Sequence, residues 1–204
     1  MTDYKRWCLH YGQKLDNRTH DDWIKEFTKW VFGKQPPYPD RPGNPLFVHG
    51  DMKNNNQSRR MQVSIYKNDP IIVHVVGANF VKGDKDKEGN TINSDQEIKD
   101  ACNAGEHEDQ PGNVQFKIAN EKDFTDLSSC VEQLRPEVFD FEVDGSNSDL
   151  KSWDVEMPKG PQRGAWSCQL LLLKIPEPGD YLLNFDAKCV PPFESRAEYK
   201  IDVK

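Results

Sequence analysis

The sequence predicts a mainly β protein: an immunoglobulin-like antiparallel β-sandwich with an N-terminal amphipathic helix and one or two short inserted helices. Three observations carry that expectation. Apolar and polar residues alternate over short segments such as "VFDFEVDG" and "AEYKIDVK", which is the period of a half-buried strand. Clusters of Gly, Pro, Asn and Asp punctuate those segments at short intervals, as all-β folds built from short strands require. And a chain whose mean hydropathy is -0.86 concentrates its leucines in "GAWSCQLLLLKIPEPGDYLLNF", Gly164 to Phe185, which reads as a central hairpin lying between other layers. At 204 residues one domain is expected, with residues 1–45 supplying the helix and a Pro-rich connector and residues 46–204 the sandwich with its helical insertions.

The elements follow in order. In "THDDWIKEFTKWVFGK" Trp23, Ile24, Phe27, Trp30 and Val31 share one helical face. Thr19 is the N-cap, Asp21 and Asp22 complement the dipole, and Gly33 supplies the stop. "KQPPYPDRPGNP" then holds an extended connector through its five prolines. Strands are expected at Leu46 to His49, Met61 to Tyr66 and Ile71 to Ala78, the last β-branched on both faces and therefore buried. A polar loop ends in a capping box, Ser94 with Glu97, opening a helix through Cys102. "VQFKI" is a strand, Asp123 to Leu134 a second inserted helix with Leu127, Cys130, Val131 and Leu134 on one face, and "VFDFEVDG" a strand. Pro176 to Gly179 then turn Gln169 to Lys174 back against Tyr181 to Ala187, and "AEYKIDVK" closes the sheet beside that hairpin.

Charge and cysteine usage narrow the partners. With 34 Asp and Glu against 27 Lys and Arg the net charge is -7, so no broad basic face for nucleic acid is expected. There is no apolar run long enough to span a membrane, and the start "MTDYKRWCLHYG" lacks the apolar centre of a signal peptide. The chain as written is expected to be cytoplasmic, the alternative being an exported protein whose leader has been removed. The five cysteines, Cys8, Cys102, Cys130, Cys168 and Cys189, form no CxxC pair and read as reduced structural thiols. In an exported protein Cys168 and Cys189 are the pair the hairpin would bring together.

Three landmarks occur in order along nearly the whole chain: Trp23, Phe27 and Trp30 in an early helix of WxxxWxxW form, "DQEIKDACNAG" after an acidic loop, and "FEVDG" followed by "GAWSCQLLLLKIPEPGDYLLNFDAK" and "AEYKIDVK". In this the chain resembles a family of uncharacterised, mostly bacterial and often exported proteins with an EELRACA-like helix and a GYWxxLxPLxPGxHxIxF-like hairpin. It departs from them in lacking their paired cysteines around "IIVHVVGANF" and their signal peptide. The resemblance implies a fold and no activity.

The most specific local signal is "DKDKEGNTINSD". Asp84, Asp86, Glu88, the carbonyl of Asn90 and Asp95, with Gly89 at the bend, match the spacing of an EF-hand calcium loop. Glu at the fifth position, Thr at the eighth and Asp at the twelfth depart from it, and a solvated acidic loop is the other reading. His49 and His74 sit at strand positions, and "GEHED" gathers Glu106, His107, Glu108 and Asp109, but neither has the spacing of a zinc motif. No nucleophile elbow, Walker loop or dinucleotide fingerprint is present. Trp7, Tyr11, Tyr38, Trp153 and Phe193 lie in irregular segments and are expected to be exposed. Of these, Trp7, Tyr38, Trp153 and Phe193 are the candidates for stacking on a sugar or anchoring a partner. Trp23, Trp30 and Trp166 are expected in the core. The function expected is a non-catalytic binding or structural module that recognises a protein, glycan or small ligand through its loops, with calcium as the candidate cofactor. The alternative is a metal-dependent enzyme with strand histidines, His49 or His74, as ligands.

Overall fold

Short alternating segments become strands here because each can bury one face against a neighbouring layer. The computed structural model describes residues 3–33, 42–50, 59–104, 112–144, 157–188 and 194–204. In order they form β1 (Cys8–Leu9), α1 (His20–Phe32), β2 (Leu46–His49), β3 (Arg59–Ile65), β4 (Pro70–Val81), α2 (Asp95–Ala104), β5 (Asn113–Ile118), β6 (Thr125–Asp126), β7 (Glu132–Leu134), β8 (Phe139–Val143), β9 (Gly160–Lys174), β10 (Gly179–Lys188) and β11 (Glu194–Val203). The protein is mainly β and its strands make two facing sheets. One runs β2-β4-β9, with β1, β7 and β8 placed in succession along the far edge of β9. The other runs β3-β11-β10-β5-β6.

The sheets are mixed, where the sequence led us to expect antiparallel pairing throughout. β2 pairs parallel with β4, and β3 parallel with β11. The cause is topological. The chain goes from β2 in the first sheet to β3 in the second and back to β4 in the first, so the two strands of the first sheet point the same way. No described helix is long and apolar enough to cross a membrane.

The "LLLL" run explains the layering. Leu171 and Leu173 face the second sheet, and Leu170 and Leu172 face α1. All four are fully buried, each worth about 1.5 to 3 kcal/mol relative to exposure. The first sheet is thus covered on both faces, by the second sheet and by α1. Helix α1 begins at a capping box in which Thr19 Oγ1 accepts from the Asp22 amide at 3.2 Å and the Thr19 amide donates to Asp22 at 2.9 Å. Its Trp23, Phe27 and Val31 are buried against the sheet.

Two expectations are corrected. Gln169 to Lys174 and Tyr181 to Ala187 do not form a hairpin. β9 has β4 along one edge and β1, β7 and β8 along the other, so no edge is left for β10, which pairs with β5 and β11 in the opposite sheet. Pro176 to Gly179 is therefore an arch between sheets. The premise for a Cys168–Cys189 bridge falls with the hairpin: Cys168 is a free, buried thiol, and Cys189 lies outside the described residues. Asp123 to Leu134 is not a helix. Asp126 Oδ1 takes the Ser128 amide and hydroxyl at 2.8 and 2.6 Å, and Ser128 Oγ accepts the Val114 amide at 3.0 Å. Side chains that bond the local backbone in this way compete with helical hydrogen bonds. The segment instead forms β6, a short 3-10 turn at Ser128–Cys130, and β7.

Candidate functional site

The acidic loop after β4 is built from the end of that strand outward. Val81 donates its amide to Asp84 Oδ2 at 2.8 Å, and Gly83 and Asp84 turn the chain back through backbone bonds with Ile92. Lys85 and Thr91 then pair across a tight loop, which Gly89 closes with φ at 86°, a conformation that favours glycine. Ile92 anchors the loop by packing with Ile98, Ala101 and Cys102 of α2. Ser94 and Glu97 form the predicted capping box: Glu97 Oε2 accepts the Asn93 and Ser94 amides at 2.7 and 2.9 Å. Those two amides hold the Glu97 carboxyl below its ordinary range.

The five residues of the predicted calcium set do not converge. Asp84 is folded back onto Val81. Asp95 lies across a bidentate pair with Arg163, at 2.8 and 2.6 Å, and that guanidinium lowers its pKa. Asp86 accepts the Asn90 amide at 2.7 Å and its side-chain amide at 3.1 Å, and the Asn90 carbonyl offered as a ligand takes the Asp86 amide at 3.0 Å. Partial desolvation raises Asp86, but the hydrogen bonds from Asn90, Glu88 and Gly89 leave it below the usual carboxylate range. Among the described residues no three His, Cys, Asp or Glu side chains stand close enough to hold a metal.

The loop and α2 together enclose a groove of about 380 Å³. Asp86, Lys87, Glu88 and Asn90 line it from one side, Glu97 and Asp100 from the other. Phe80, Ile92, Ala101 and Ala104 supply its apolar lining. Three of the five predicted residues thus meet in one cleft, while Asp84 and Asp95 brace its walls. Asp100 and Ala101 were missed from sequence. The signal was present in the spacing of Glu97, Asp100, Ala101 and Ala104, which share one stretch of helical surface.

The other candidates separate. Trp7, expected at the surface, is only 6 % exposed. It packs on Tyr4 at 4.8 Å and edge-on to Phe116 and Tyr181 at 6.0 Å, closing one end of the core. Asp3 makes this possible by capping the 3-10 turn Tyr4–Trp7. Tyr11 is 60 % exposed, as expected. Tyr38, Trp153 and Phe193, and the "GEHED" segment, lie outside the described residues. His49 and His74 stand opposite each other in the β2–β4 register, both buried. His74 is stacked on Phe27, and His49 lies edge-on to Trp30 at 5.8 Å. Protein-family models, curated proteins and solved structures give no match to this chain.

Proposed function

We propose that this chain is a non-catalytic β-sandwich binding module, and that the groove between the Lys85 to Asn90 loop and α2 takes a lysine or arginine side chain of a protein partner. The observation that carries this reading is an apolar lining of Phe80, Ile92 and Ala101 beside the carboxylates of Asp86, Glu88, Glu97 and Asp100, which outnumber Lys87, the cation in the same lining. A basic side chain has the matching build: a methylene stem that packs on apolar surface and a cation that pairs with carboxylates. The net charge of -7 favours encounter with such a partner.

The test is a calorimetric titration with a short peptide carrying one lysine between apolar residues. Saturable binding that weakens with salt supports the reading, and Glu88→Lys with Asp100→Lys should then weaken it at least about tenfold, or about 1.4 kcal/mol. Binding unchanged by that double variant sinks it. Calcium is the second occupant proposed for the same cleft, through Asp86, Glu88 and Asn90. A melting temperature that rises with calcium and falls back with chelator would favour it.

The metal-dependent enzyme is kept as a second reading because His49 and His74 are register neighbours. One equivalent of a transition metal in purified protein would favour it. Two finer proposals concern lineage. The immunoglobulin-like description draws support from the crossings between sheets at Lys67 to Asp69 and Pro176 to Gly179. Membership of the mostly bacterial family rests on the order of its three landmarks.

A further inference from the structure

The N-terminal segment runs beside the 3-10 turn Ser128–Cys130 and the start of β7. Lys5 Nζ donates to Ser129 Oγ at 3.1 Å, the Tyr11 amide donates to Glu132 Oε1 at 3.1 Å, and His10 lies 3.5 Å from the same carboxylate. Between these contacts the Cys8 and Cys130 thiols are neighbours in the core, near enough for Cys130 to bear on the Cys8 thiol. Both are free, both are buried in the core between the sheets, and they come from opposite ends of a long stretch of chain. The register explains the meeting: Cys8 pairs with Leu173 and Glu132 with Leu170, so β1 and β7 follow one another along the same edge of β9.

We propose that Cys8 and Cys130 are a latent disulfide, closed by a small-molecule disulfide oxidant, which fastens the N-terminal segment to the sandwich. The Cys8 thiolate attacks the oxidant, forming a mixed disulfide and releasing one thiolate. Cys130 then gives up its proton and attacks the Cys8 sulfur, releasing the second. Two protein thiols are oxidised and one small disulfide is reduced to two thiols. Burial pushes the Cys8 thiol up, and the neighbouring Cys130 adds to that shift, so the closed segment is a poor nucleophile. Reaction proceeds when β1, only two residues long, lifts from β9. The segment that would be fastened carries Tyr4 and Trp7, the rings that close one end of the core.

The experiment incubates the folded chain with oxidised glutathione at mildly alkaline pH, then digests it with trypsin without reduction. The expected product joins the peptides Trp7–Lys14 and Asp123–Lys151, each with one cysteine. The oxidised protein should melt about 5 to 15 °C higher than the reduced one. Cys8→Ser and Cys130→Ser should each abolish the link and the gain, while Cys102→Ser and Cys168→Ser should leave both. A link between other cysteines, a link that forms only in denaturant, or an oxidised protein that melts no higher overturns the proposal.

Discussion

The imidazole of His74 lies flat on the ring of Phe27, with centroids 4.7 Å apart and planes 11° apart. This stack couples α1 to β4 at the centre of the first sheet's outer face, with Trp166 edge-on to the imidazole at 4.9 Å. Phe27 is fully buried and also meets Phe47 and Trp166 edge-on. Phe27→Ala should therefore cost about 3 to 5 kcal/mol in a urea melt. A loss below about 1 kcal/mol would mean that α1 is not seated on the sheet as described.

Gly77 follows the register shift that falls between His74 and Val76 of β4, and it pairs directly with Cys168 of β9. A Cβ there would meet Cys168 Cβ at 2.7 Å, His74 Nε2 at 2.8 Å and the Ser167 carbonyl at 2.9 Å. Gly77→Ala should destabilise by about 1 to 3 kcal/mol through overpacking. A neutral substitution, by the same melt, would contradict that close approach.

His20 is buried at the start of α1 beside the exposed ring of Tyr11. Burial lowers its pKa from 6.5, against Glu132, Leu9 and Asp21, which raise it, while His10 adds to the lowering. The unfolded chain therefore takes up a proton at His20 before the folded chain does. The stabilisation from the neutral ring is present above pH 6.5 and is lost as the pH falls through the range below it. The melting temperature should fall on going from neutral to mildly acid pH, and His20→Leu should flatten that part of the profile. An identical slope in the variant would exclude His20 as its source.

How much of this was legible in the sequence depended on which force set each feature. α1, β2 and the capping box at Ser94 follow from local signals, caps and periodicity, and appear where those signals lie. The partner of β10 does not follow from local signals, because adjacency in sequence suggests a hairpin and only the occupation of both edges of β9 forbids it. The helical spacing of Leu127, Cys130 and Leu134 misled for a related reason. Leu127 and Cys130 face the core between the sheets and Leu134 faces α1, so the three supply two layers and no single helical face.

The groove was half legible. Asp86, Glu88 and Asn90 stood out as oxygen donors at suggestive spacing, but spacing alone cannot show that Asp84 turns back to Val81 or that Asp95 is held by Arg163. Trp7 was misplaced because an irregular segment was read as a surface one. A short capped turn was enough to bury it.

The most direct test of the account is to locate the binding of a lysine-bearing peptide by nuclear magnetic resonance of the amide groups. Resonances of Asp86, Asn90, Asp100 and Ala101, which line one cleft, should shift together and saturate, and added salt should reverse the effect. An arginine in place of the lysine should give the same map. Shifts confined to another face of the sandwich, or none at peptide concentrations that should saturate the cleft, would contradict it.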